Sequence, residues 1–195
     1  MTRLSIYLLF AAASFAACQQ EQGTYIPKQR AFPRIELPAH EYQKLDKDFP
    51  YDFEYSKHTK ITPDTSYGAL SHFIHIDYQK YSAVIHISHR DPQGSLDSLA
   101  IFFDNSLRLT EKHNIKASAI SNSVKTLDNG ATLIMSELEG DVPSQFQYFI
   151  TDSTDHFLRA ALYFPTNVQN DSLAPIIEYV KEDMIHMINT TRWND

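Results

Sequence analysis

Phe49, Tyr51, Phe53 and Tyr55 fall at every second position, with Pro50, Asp52, Glu54 and Ser56 between them. That alternation predicts a strand with one aromatic face. Pro50 has no N–H to give to a ladder, which places the entry end of this strand at a sheet edge. Two β-branched runs follow, Ser71 to Tyr78 and Ser82 to His89, joined only by Gln79-Lys80-Tyr81. So short a connection predicts a hairpin. From Ser95 to Asn114 the period changes, with Leu96, Leu99, Phe103 and Leu107 on one helical stripe and Asn114 as a stop. Three more strands are expected at Ala131–Leu138, Gln145–Asp152 and His156–Phe164, and their tight connections imply an antiparallel meander. The final segment reads as an amphipathic helix. Asp171 or Ser172 caps it, Pro175 sits in its first turn, and Leu173, Ile176, Ile177, Val180, Met184, Met187 and Ile188 share one face. The sum is an α+β domain, an antiparallel sheet with helices packed on one face.

The first 33 residues follow a different pattern. Arg3 precedes an apolar run from Leu4 to Phe10, and small residues lead to Phe15-Ala16-Ala17-Cys18. This is a secretory signal, too short for a bilayer core of about 20 residues. The only cysteine in the chain stands at the cleavage point. The placement resembles a bacterial lipoprotein box, with Phe15 where such boxes usually carry Leu, so residues 1–17 are expected to be removed and Cys18 to be acylated. A domain left without any free thiol suits an export compartment. Residues 18–33 are polar and proline-punctuated, a tether of about 15 residues spanning roughly 20 Å. A single domain is expected over 34–195, opening with a short extended piece at 34–38 and a turn or short helix from His40 to Lys47.

Charge and composition narrow the chemistry. The 17 Lys and Arg against 24 Asp and Glu give a net charge of −7, without a basic run. Nucleic acid is thereby excluded as a partner. Five glycines, all widely spaced, exclude a glycine-rich phosphate loop. An apolar fraction of 43% supplies a core of ordinary size.

Each candidate site has an ordinary structural reading beside it. His75 and Asp77 share a strand face, and His86 lies opposite on the next strand, an arrangement that could hold a metal. Solvated strand faces gather polar residues anyway, and no metal or other cofactor is expected. His72 and His89 alternate with Ile74, Ile76, Ile85 and Ile87 and close the ends of an apolar stripe. There is no Gly-x-Ser-x-Gly elbow. Glu137 and Glu139 fit a solvated strand face better than a catalytic carboxylate pair. The run from Thr151 to His156 has the composition of a tight turn. Arg159, inside an apolar strand, needs a carboxylate or carbonyl partner. No catalytic residues are assigned.

With these elements in place, longer stretches become recognisable. Pro33-Arg-Ile-Glu-Leu-Pro38, Glu41-Tyr42, Phe49-Pro-Tyr-Asp-Phe-Glu-Tyr55, Ile85-His86-Ile87 and Gln145 through Phe164 resemble the GldD family of gliding-motility lipoproteins. The likeness continues through Asp171-Ser-Leu-Ala-Pro175, Glu182-Asp183 and Arg192-Trp193. The resemblance implies a lipid-anchored, periplasm-facing accessory of the Bacteroidetes gliding apparatus, bound up with type IX protein secretion. It offers one residue to carry over, the lipidated Cys18. The element order is also similar to PsbP-like αβα sandwiches. Asp97-Ser98-Leu99, Asp152-Ser153-Thr154 and Asp171-Ser172-Leu173 resemble the O-glycosylation acceptor of exported Bacteroidetes proteins, although capping and turn formation call for the same residues.

Three functional classes follow. One is a non-enzymatic envelope lipoprotein that docks machinery proteins, with Phe49–Tyr55 as the candidate docking element, although core packing is the more ordinary reading of its four aromatics. Another is a binder of a small ligand or glycan, which requires aromatics around a concave pocket. The third is an envelope hydrolase, which requires a pocket of His, Asp or Glu with strongly perturbed pKa values.

Overall fold

A computed structural model describes residues 35–113, 115–164 and 170–194, with side chains from 173 onward in the last stretch. In chain order the strands begin with β1 (Tyr42–Lys44), β2 (Tyr51–Asp52), β3 (Glu54–Ser56), β4 (Lys60–Pro63), β5 (Ile74–Tyr78) and β6 (Ala83–Arg90). Helix α1 (Leu96–Glu111) follows, then β7 (Ala117–Thr126), β8 (Thr132–Gly140), β9 (Phe146–Thr151) and β10 (Phe157–Tyr163). Helix α2 (Asn170–Thr190) and β11 (Arg192–Trp193) complete the order.

Seven strands form one antiparallel sheet in the order β4-β5-β6-β10-β9-β8-β7. The expected hairpin is β5–β6, paired Ile74↔Ile87 and Ile76↔Ile85, with a 3-10 turn at Gln79–Tyr81. The expected meander is β8-β9-β10. Pairing of β10 with β6 joins the two and makes β10 the central strand. The two outer strands have no counterpart in the sequence pattern. β4 is four residues long and ends in Pro63, and β7 is almost wholly exposed, so neither shows apolar alternation. Gly140, at the end of β8, lies against the bulge at Ala117/Ala119. Its φ is +98°, and a Cβ there would stand 2.8 Å from the Lys116 oxygen and the Ser118 nitrogen, so only glycine fits.

The helices lie on opposite faces, not on one. Strand alternation shows it: Tyr148, Ile150, Leu158, Ala160 and Leu162 point one way and pack with Ile176, Val180, Met184, Met187 and Ile188 of α2. Phe149 and Phe157 point the other way and pack with Leu99, Phe102 and Phe103 of α1. The α1 stripe is also rotated from the expected one. Leu99, Ser106 and Thr110 are buried, whereas Leu96 and Leu107 are exposed. Ser95 caps α1 by accepting from the Ser98 N–H at 3.2 Å. The expected stop, Asn114, and the side chains of the expected caps Asp171 and Ser172 lie outside the described residues. Helix α2 starts at Asn170, which puts Pro175 inside it rather than in its first turn.

The aromatic run Phe49–Tyr55 is not part of the seven-stranded sheet. It splits into β2, which pairs with β11, and β3, which pairs with β1, two ribbons beside the main sheet. Tyr51 and Phe53 are fully buried in the α2-side core, and Phe49 and Tyr55 pack against it. The alternation does mark strands, and the aromatic face packs in the core, the ordinary reading of these side chains.

Val180 is completely buried between α2 and the sheet. Val180→Asp is therefore expected to destabilise the domain by several kcal/mol, because it buries an unpaired charge. Urea unfolding measures the loss, and a variant as stable as the parent would show that α2 does not cover this face.

Candidate functional site at the N-terminal strap

Residues 35–47 run as a strap over α2 and the β5 end of the sheet. Ile35 and Leu37 pack against the core and Leu45 is buried in it. The Glu36 carbonyl accepts from the Tyr81 hydroxyl at 3.2 Å. These contacts bring His40, in the loop before β1, and Tyr42, in β1, against one face of α2. Tyr179, Asp183 and His186 occupy that face at helical spacing.

Asp183 is the centre of the arrangement and is fully buried. Its Oδ1 accepts from His40 Nδ1 at 2.6 Å, and its Oδ2 accepts from the Tyr78 hydroxyl, at the end of β5, at 2.8 Å. His40 Nε2 faces Glu182 at 3.1 Å, and the imidazole stacks on Tyr179 with centroids 4.3 Å apart. The Tyr42 ring lies flat on His186 at 3.6 Å, and His186 bonds Glu54 of β3 at 2.7 Å. Burial first, and then the Asp183 charge, raise the Tyr42 and Tyr78 phenols above their ordinary range. Both therefore keep their protons and remain donors to the carboxylate. A buried carboxylate is tolerated only when it is this fully bonded. The result ties three parts of the chain together: strap, sheet and last helix.

Structurally, the cluster acts as a clamp. Asp183 meets an imidazole and phenols held in their protonated form, and among the described residues no serine or threonine hydroxyl bonds it. In the sequence Glu182-Asp183 stands out only through the family resemblance, which gives no sign of the clamp. The available signal was Asp183 one residue before the core position Met184, an acid set inside an apolar stripe.

The residues singled out in the sequence fall elsewhere. His75 and His86 are directly paired across β5 and β6, with rings 4.2 Å apart, and His75 Nε2 is 3.7 Å from Asp64. Asp77 is occupied by the Thr62 hydroxyl at 2.9 Å. Among the described residues no group of three or more His, Cys, Asp or Glu side chains is arranged to hold a metal ion. His89 is buried on the opposite face, bonded to His156 at 3.0 Å, and His72 Nε2 meets the His89 carbonyl oxygen at 3.2 Å. Glu137 pairs with Lys181 of α2 at 2.6 Å, and Glu139 is exposed. Asp152 Oδ1 accepts from the N–H groups of Thr154, Asp155 and His156, which is the turn chemistry expected of that segment. Arg159 meets the side-chain oxygen of Gln147 instead of a carboxylate. Cys18 lies outside the described residues.

Two predictions follow from these contacts. Tyr78→Phe removes one donor from a buried carboxylate and is expected to cost about 1.5–3 kcal/mol. Combined with His40→Ala, it should lose a different amount from the sum of the single changes, because both act on Asp183. Simple additivity in urea unfolding would show that the two donors are independent.

The second concerns acid. Burial, then neighbouring His75, push the His86 imidazole down to about 4, with Arg159 adding to the shift and Asp64 and Asp77 opposing it. Burial, then His156 and His72, push His89 down to about 4, against the pull of Asp91 and Asp152. Between their ordinary 6.5 and about 4, the unfolded chain binds protons that the folded chain refuses. Their contribution is complete above the upper value and fades as the pH falls through this window. Unfolding free energy should decline across it, and His86→Asn should flatten the decline. A parent profile that is level there would contradict the burial of these rings as neutral species.

Comparison with known proteins comes last. No curated protein matches the chain. Among solved structures, the solution structure of cyanobacterial PsbP (CyanoP) from Synechocystis sp. PCC 6803 is similar at a TM-score of 0.47 and 8% identity, over 81% of this chain and 95% of that one. A likeness at that level carries no argument here; the α+β class rests on the sheet and helices themselves. The family model described as gliding motility lipoprotein GldD matches residues 22–193. That span takes in the strap, every strand of the sheet and both helices, and on it the chain belongs to the GldD family of gliding motility lipoproteins.

Proposed function

We propose that this protein is a non-enzymatic, lipid-anchored component of the cell envelope that supports gliding motility and type IX protein secretion. Residues 1–17 direct export, Cys18 carries the lipid, and residues 18–33 tether the domain to the membrane. The family membership supplies the motility role and the lipoprotein character. Among the described residues no helix is long and apolar enough to cross a membrane.

The observation that carries this reading is the Asp183 clamp. The strap is the first described part of the chain after the tether, and it is tied into the core by a fully buried carboxylate bonded to His40 and Tyr78. An anchored domain that works against a moving partner must pass load from its lipid into its fold. A strap pinned to both helix and sheet does that, whereas a strap lying loosely on the surface would peel. The partner is a protein of the gliding and secretion machinery within reach of the membrane surface. The aromatics that a glycan groove would need, Tyr51, Phe53 and Tyr148, lie in the core instead.

Deleting the gene is expected to abolish colony spreading and to lower secreted cargo, with both restored by the wild type. Cys18→Ser should take up no labelled palmitate and should fail to restore spreading. Full restoration by the unlipidated protein would overturn the anchored mechanism, and label retained by Cys18→Ser would move the lipid elsewhere.

A further inference from the structure

Helix α1 covers only part of its face of the sheet. Beside it, where β6 and β10 emerge from beneath the helix, a cleft of about 560 Å³ opens to solvent. Four cationic side chains line this cleft: Arg90 from β6, Arg108 from α1, Lys112 just beyond the helix, and Arg159 from β10. None of its described lining residues is acidic. In a chain with 17 Lys and Arg against 24 Asp and Glu, this is a local reversal of sign.

The cations are oriented by neutral neighbours. Arg159 is half-buried and donates to the Gln147 side-chain oxygen, which also accepts from Thr110 at 3.4 Å. Gln147 fixes the direction of the guanidinium but leaves its charge uncompensated. Arg90 lies over the rings of Phe73 and Phe102, at 5.4 and 5.9 Å, which again orients without neutralising. Only Arg108 has an acidic partner among the described residues, Asp104 at 3.0 Å, one turn back on the exposed side of the helix. The neutral donors Ser88 and Asn105 complete the lining.

We propose that this cleft binds a phosphate oxyanion, as a phosphodiester, phosphate or diphosphate group, carried either by a small soluble molecule or by a lipid headgroup. Arg90, Lys112 and Arg159 have no counter-ion among the described residues and repel one another, and an anion supplied from outside relieves this. Guanidinium forks match phosphate oxygens two at a time, and Arg90 and Arg159 are held in fixed directions to do so. Lys112 and Arg108, on the helix side, supply adaptable charge around the rest of the group. The site stands apart from the strap and does not depend on the anchored mechanism.

Calorimetric titration of the full chain in detergent tests this, with pyrophosphate and glycerophosphoglycerol as probes. Saturable binding of at least one probe with a micromolar dissociation constant is expected, weakening as salt is raised. Arg159→Gln should weaken it at least tenfold. The exposed double variant Arg90→Glu/Lys112→Glu should do the same without altering the fold, which guards against a folding defect in the first. Lys125→Glu, on the far edge strand, should bind like the parent. Tighter binding of pyrophosphate assigns the group to a soluble phosphate, and tighter binding of glycerophosphoglycerol assigns it to a headgroup. No saturable binding of either probe at millimolar concentration, or equal binding by the double variant and the parent, would overturn the proposal.

Discussion

Two-sided burial of the central strands is the constraint from which the architecture follows. β9 is buried at every position and β10 at five of seven, so each needs apolar cover above and below. One helix cannot supply both. α2 covers one face with Ile176, Val180, Met184, Met187 and Ile188, and α1 covers the other with Leu99, Phe102 and Phe103. The two covers are unequal. The α2 face extends across β5 and β6 to the ribbons and forms most of the core, while the α1 cover stops at Phe149, Phe157 and Ile134. His75, His86, Arg159 and the basic cleft lie on the side that α1 only partly covers, whereas Tyr78 and His89 are the polar groups enclosed on the α2 side.

Much of this was legible in the sequence where a face is half wet, and less where it is not. Ser71–Tyr78 and Ser82–His89 alternate cleanly because their other face meets solvent, and the hairpin register follows from that alternation. The last helix was legible because its apolar stripe is long and unbroken. The placement of α1 was not, since four of its large apolar residues are exposed and Ser106 and Thr110 face the sheet in their place. Yet the unbroken run Phe157-Leu158 and Ala160-Ala161-Leu162 already carried the sign of a strand covered on both sides. β4 and β7 escaped notice because edge strands exposed on both faces have no apolar period to read. The clamp escaped because it is assembled from His40, Tyr78 and Asp183, and no local spacing links residues so far apart.

The clamp and the cleft sit on opposite faces of one sheet. Tyr78 shares the α2 face with Ile74 and Ile76, whereas Arg159 shares the α1 face with Phe157. A ligand seated among Arg90, Arg108 and Arg159 leaves the strap in place, and a change in the strap leaves those cations in place. The clamp and the cleft can therefore be altered separately by mutation. The Gln147 side chain shows how economically the second face is built: one buried amide oxygen receives both Arg159 and Thr110 and so relates β9, β10 and α1.

The distances along the chain between clamp partners have a consequence for timing. His40 and Asp183 are separated by 143 positions, and Tyr78 and Asp183 by 105. α2 and β11 follow every other element in the sequence, and without them the larger face of the sheet has no cover and β2 has no partner. Folding dominated by such remote contacts is slow. A growing chain with its strap, hairpin and meander already made still lacks the piece that closes the core. The last helix and strand are thus the closing piece of the fold, and a chain cut short before α2 would leave the larger face of its sheet bare.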